Sequence, residues 1–181
     1  MGKIFAEIDR DLKFWIEKQK MFFVSTAPLD ANGHINCSPK GANSFRVIDS
    51  QTVAYQDLTG SGIETIAHLK ENGRIAIMFC AFEGSPQILR LHGKGSPIFS
   101  DSLQYPRLAK LFQPHPGERA IIKIDVQRVA TACGFSVPLY DYVDQRDILD
   151  KWTDSKTSEE LSAYQQKKNQ FSIDGLPGLE V

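Results

Sequence analysis

Cysteine is scarce in this chain. Cys37, Cys80 and Cys133 are the only three in 181 residues, and none stands at a C-x-x-C spacing. Such wide, odd-numbered spacing argues against a disulfide framework, a zinc ribbon or a redox dithiol, and reads as reduced thiols in a cytoplasmic protein. Long apolar runs are also missing. The start, Met1-Gly2-Lys3-Ile4-Phe5-Ala6, has neither a signal-like apolar core nor the Ser or Thr at position 6 that favours myristoylation, so neither secretion nor membrane anchoring is expected. An excess of one charge is absent too: the formal net charge is −1, with both signs interspersed. No broad positive field exists to gather a nucleic-acid backbone or an anionic bilayer.

Nucleotide fingerprints are lacking as well. No Gly-Lys-Ser/Thr follows a glycine loop, and no Gly-x-Gly-x-x-Gly follows a strand, which sets aside P-loop and Rossmann chemistry. His34, His68, His92 and His115 are scattered, without a metal-ligand spacing or a Ser-His-Asp order, so no metal site and no catalytic side chain is assigned. There is no repeat, low-complexity tract or linker. With 41% apolar and 24% charged residues, the chain has the composition of an ordinary globular domain rather than a disordered or fibrous one. Its length suits a single domain over residues 1–181.

What is present reads mainly as short strands. Apolar residues at three- and four-residue steps predict an amphipathic helix over 4–20, its apolar stripe against the sheet. Strands are expected at 21–27, through Cys37, at 44–48 and at 52–56, in an antiparallel meander. A short helix from Ile63 stops at Asn72-Gly73, where glycine permits the left-handed cap. Strands at 74–81, 87–92 and 120–129 and helices near 102–112 and 158–168 complete the reading, with the polar tail from Thr153 peripheral. The expected fold class is mainly β with α additions, an antiparallel barrel.

Two segments suit an anion. Asn36-Cys37-Ser38-Pro39-Lys40-Gly41 ends a strand with a hydroxyl, a cation and an exposed glycine backbone, although the same residues make an ordinary turn with a solvated Lys40. Asp57-Leu58-Thr59-Gly60-Ser61-Gly62-Ile63-Glu64-Thr65 leads small residues into a helix whose first amides face outward, the positive end of its dipole. Ser61 and Glu64 also have the spacing of a capping box that would satisfy those amides without any ligand. Strand alternation puts Arg90 and His92 on one face and Leu89 and Leu91 on the other, so Arg90 can face an anionic ligand or plain solvent. Cys133-Gly134-Phe135-Ser136-Val137-Pro138 suits either a cover for a planar ring or a packed turn.

Together, Phe22-Phe23-Val24-Ser25-Thr26-Ala27, Asn32-Gly33-His34-Ile35-Asn36, Ser38-Pro39-Lys40-Gly41, Val53-Ala54-Tyr55, the stretch 59–69 and the strand 74–79 resemble the pyridoxamine 5′-phosphate oxidase-like family. The resemblance covers about residues 21–98. It implies an FMN-binding split β-barrel, a homodimer with two flavins at the subunit interface, and a small-molecule substrate or an electron donor such as NAD(P)H. It implies cofactor contacts at Ser38, Pro39, Lys40 and Gly41, at Tyr55, Gln56 and Asp57, and at Thr59, Ser61 and Thr65. Gln87 and Arg90 lie on the strand expected from the partner side. The sequence departs from authentic oxidases in two places. Their basic phosphate loop is Ile63-Glu64-Thr65 here, and their basic C-terminal substrate motif has no counterpart, so a vitamin-B6 substrate is not expected. Two functions remain open at this level: an FMN-dependent oxidoreductase, or a non-catalytic module that stores or senses flavin or haem.

Overall fold

A computed structural model describes residues 2–180. Its strands are β1 (Ile4–Phe5), β2 (Phe22–Thr26), β3 (Asn36–Lys40), β4 (Phe45–Val47), β5 (Thr52–Leu58), β6 (Arg74–Cys80), β7 (Ile88–Ile98) and β8 (Glu118–Ala132). Its helices are α1 (Arg10–Lys18), α2 (Glu64–Asn72), α3 (Tyr105–Ala109), α4 (Ile148–Asp154) and α5 (Ser158–Lys168). All pairings are antiparallel, in the order β3-β2-β6-β7-β8-β5-β4, with β1 added to β8.

The expected meander is therefore replaced by two hairpins at opposite edges, β2-β3 and β4-β5, with three strands between them. Residues 41–44 carry the chain from one edge to the other, and Ala42 and Asn43 take left-handed backbone (φ 56° and 51°) to do so. The sheet curls until its ends approach. Phe22 of β2 meets Phe45 of β4 at 5.0 Å between ring centroids and Tyr55 of β5 at 5.5 Å, both edge-on. β3 and β4 are not hydrogen-bonded to each other, so the barrel is split between them.

Alternation fills the inside. Val24, Val53, Tyr55, Ile77, Phe79, Leu89, Leu91, Ile122 and Ile124 point inward and are almost fully buried. Ile8, Leu12 and Ile16 join them from the chain start and α1. The helix expected from residue 4 begins only at Arg10, because Asp9 caps it by accepting the Leu12 N–H at 2.8 Å, while Ile4 and Phe5 pair with β8 instead. A smaller core of Ala54, Ile98, Leu108, Phe112 and Ile121 lies on the outer face under α3. Between His92 and Gly93 the β7-β8 register shifts, and a Cβ at Gly93 would collide with the Asp125 carbonyl, which fixes glycine at this bulge.

The expected stop of α2 is present: Gly73 has φ 70° and donates to the Leu69 carbonyl. The expected capping box is not. α2 starts at Glu64 with Ile63 at the N-cap, so Ser61 lies two residues too early, and the Glu64 carboxylate instead accepts the Ile173 N–H at 3.1 Å. α4 was not expected from the sequence. The tail runs along the barrel and inserts Leu179 into the main core. Among the described residues no helix is long and apolar enough to cross a membrane, and no cluster of potential metal ligands occurs.

Candidate functional site

The end of β3 and the loop leading into α2 are far apart in sequence, and the curl of the barrel brings them to the two sides of one cavity of about 850 Å³. Ser38, Pro39, Lys40, Gly41, Gln56, Thr59, Ser61 and Thr65 all line it. Tyr55 and Asp57 sit behind its wall, facing the barrel interior. Gln87 and Arg90 do not line it. They belong to the opposite stretch of the sheet, where Arg90 pairs with Met78 and Ala130 and shares the outer face with His92 while Leu89 and Leu91 are buried.

Asp57 organises the charge of this site. Its carboxylate is 1% exposed and lies between the Lys40 ammonium at 3.0 Å and the Arg119 guanidinium at 2.8 Å. Burial alone would push its pKa up, but the two cations overcome this and hold it below the usual carboxylate range. Two cations share one anion, so the cluster keeps a positive charge at the cavity wall. Arg119 also donates to the Gly62 carbonyl at 2.8 Å, which ties the cluster to the loop before α2. Sequence reasoning missed Arg119, because nothing local marks the first residues of β8 and its partner lies 62 positions away.

The remaining polar wall is a hydrogen-bonded chain. Ser38 donates to Asn36 Oδ1 at 2.8 Å, and Asn36 Nδ2 donates to Thr65 at 3.0 Å and to Thr26 at 3.2 Å. Thr26 meets His68 Nδ1 at 2.9 Å. His68 is fully buried, and desolvation lowers its pKa, which keeps the ring neutral. Among the described residues the Tyr55 hydroxyl is buried without a hydrogen-bond partner, and burial drives its pKa well up, so it stays a neutral phenol.

The tail builds the far wall, another feature invisible in local sequence. Trp152 of α4 lines the cavity and packs edge-on against Tyr164 of α5 at 5.0 Å. From α5 and beyond, Gln165 donates to Thr59 at 2.9 Å and Asn169 donates to the Gly60 carbonyl at 3.0 Å. The small-residue loop is thus held from outside the barrel. Cations, hydroxyls and α2's first turn on one side, with an indole on the other, suit a ligand with an anionic end and a flat apolar body.

The family model of pyridoxamine 5′-phosphate oxidase matches residues 8–133, most of the barrel. The chain belongs to the pyridoxamine 5′-phosphate oxidase family. A relative from Aspergillus flavus, the pyridoxamine 5′-phosphate oxidase family protein ustO, is 41% identical over 196 aligned positions that span 99% of this chain and 78% of its own. Among solved structures, HupZ of Group A Streptococcus matches with a TM-score of 0.54 at 26% identity, over 69% of this chain and 99% of its own. A Lactobacillus delbrueckii protein, provisionally described as a pyridoxamine 5′-phosphate oxidase, superposes with a TM-score of 0.52 at 17% identity, covering 69% and 94%. The split barrel is the fold these structures share with it.

Proposed function

We propose that this family member is an FMN-dependent oxidoreductase of the cytoplasm that works as a homodimer. The observation that carries the reading is the Lys40-Asp57-Arg119 cluster at the cavity wall, a buried arrangement with one cation in excess beside the loop 59–64. Lys40, Arg119, the hydroxyls of Thr59, Ser61 and Thr65, and the first amides of α2 would hold the phosphate of FMN, while the Trp152 wall and the Ser38 to Gly41 strand end would flank the ring system. FMN would supply the electron transfer when bound. The protein binds, orients and excludes water, and no side chain need act as the catalyst. Gln87 and Arg90, on the far face of the sheet, would reach the flavin of the second protomer.

Charge-assisted hydrogen bonds to a phosphate contribute about 1.5–3 kcal/mol each, so Lys40→Ala and Arg90→Ala are each expected to weaken FMN binding by a measurable factor in a fluorescence titration. Unchanged affinity in both variants removes them from the site. Light scattering is expected to give a dimer; a monodisperse monomer that binds FMN tightly contradicts the assembly. Turnover is tested by adding NADH or NADPH without oxygen to the FMN-loaded protein. Rapid loss of the yellow colour supports an enzyme, whereas stable colour supports a storage or sensing module.

A further inference from the structure

A second cavity, of about 780 Å³, opens on the other side of the β3 end. Trp15, Phe82, Tyr140 and Tyr142 provide its rings. The two tyrosines come from the coil after β8, which is pinned to the turn between β6 and β7: the Tyr140 N–H donates to the Phe82 carbonyl at 2.9 Å and the Tyr142 N–H to the Glu83 carboxylate at 3.2 Å. Tyr140 also packs on Phe82 at 5.5 Å. Backbone bonds therefore hold two tyrosine rings in place at 62% and 46% exposure, a cost in exposed apolar surface that a ligand would relieve.

The charges on this cavity are unevenly engaged. Lys18, Lys20 and Arg146 line it and none is in an ion pair among the described residues. Lys18 and Lys20 instead stand over the rings of Phe14 (4.0 Å) and Tyr142 (5.2 Å). Of the three lining acids, Glu83 accepts the Tyr142 N–H and Asp144 the Gln145 N–H at 2.7 Å, which orients these carboxylates without removing their charge. With Lys40 the lining holds four cations against three anions, and none of these acids closes an ion pair with a lining cation among the described residues. Free cations next to stacked rings match a flat molecule with an anionic group. The two cavities share Pro39, Lys40, Gly41, Gln145 and Arg146, so molecules in both would be neighbours.

We propose that the second cavity is the co-substrate site and takes a planar aromatic carboxylate. Its role as a co-substrate site rests on the proposed function; its binding chemistry does not. The probe is 2-naphthoate, titrated calorimetrically into the FMN-loaded protein, with neutral naphthalene-2-methanol and non-aromatic cyclohexanecarboxylate as controls. Naphthoate is expected to bind at least about tenfold more tightly than either control and to shift the flavin absorption. Lys20→Gln and Tyr142→Ala lie outside the first cavity and are each expected to lower naphthoate affinity about tenfold while leaving FMN affinity unchanged. No naphthoate binding, equal binding of the neutral alcohol, or affinity unaltered in both variants overturns the site. Binding without a change in the flavin spectrum overturns its place beside the cofactor. If the protein takes up no FMN, the same titration without flavin separates the ideas: naphthoate binding that still depends on Lys20 and Tyr142 keeps the cavity and sinks the flavin reading.

Discussion

At the scale of the residue, the site is governed by one buried carboxylate. Asp57 has no access to water, so its charge is tolerated only because Lys40 and Arg119 both reach it. Arg119→Met removes one of them and is expected to cost about 3 kcal/mol in urea unfolding, toward the lower end for breaking a buried pair because Lys40 remains. The pH dependence has a definite sign. Since the folded-state pKa of Asp57 lies below its ordinary value of 3.8, its contribution is present above that value and is lost as pH falls through the depressed one. In Arg119→Met the folded value rises, so acid unfolding should begin at a higher pH. Coincident acid transitions for the two proteins would show that the cluster contributes nothing.

At the scale of the element, the tail and the cavity loop hold each other. His34, on the β2-β3 turn, bonds through Nδ1 to Asp174 at 2.6 Å, and that bond raises the His34 pKa and lowers that of Asp174. The histidine's contribution is complete below its ordinary 6.5 and is lost as pH rises through the raised folded value. The carboxylate's is present above 3.8 and is lost on acidification through its lowered one. The latch is therefore tightest at mildly acid pH. Hydrogen exchange at residues 172–176, referred to intrinsic rates, is expected to quicken above neutrality, and His34→Asn should abolish that pH dependence. Further along, a Cβ at Gly178 would meet the Asn169 carbonyl and the Ile63 side chain. Gly178→Ala is expected to cost about 1–3 kcal/mol through overpacking and to loosen the loop that Asn169 holds, read as faster exchange at Gly60 and Gly62. An alanine variant as stable as the parent would mean that the tail shifts freely.

At the scale of the whole molecule, family membership and substrate separate. Pyridoxine or pyridoxamine 5′-phosphate is expected to be turned over slowly or not at all by the FMN-saturated protein. The loop that is basic in authentic oxidases is Ile63-Glu64-Thr65 here, and Glu64 is committed to the tail through Ile173. A buried substrate phosphate needs paired donors and cations, and in the proposed function Lys40 and Arg119 are taken by the phosphate of FMN. Among the described residues this leaves no second basic cluster beside the loop 59–64 for a substrate phosphate. Pyridoxal-phosphate formation in oxygen, measured beside an authentic oxidase, checks this. Comparable kcat/KM values would restore the vitamin-B6 assignment.

By itself the sequence determined the strands from β2 onward, their antiparallel character and the two segments that flank the first cavity, whereas Ile4 and Phe5, read as the start of a helix, form β1. Period-two burial, as in β7, and glycine punctuation, as at Gly73, are local properties set by backbone sterics and side-chain direction. The fold family was legible for the same reason, since its motifs are contiguous. Only the tertiary structure decided which edge each hairpin occupies, because Phe22 finds Phe45 only when the sheet curls. It also decided that Glu64 serves the tail rather than Ser61, as a carboxylate takes whichever amide the fold places within reach. The Asp57-Arg119 pair spans 62 positions and the Asn169-Gly60 bond spans 109. Charge and hydrogen bonding act through distance in space, and no local pattern of residues encodes it.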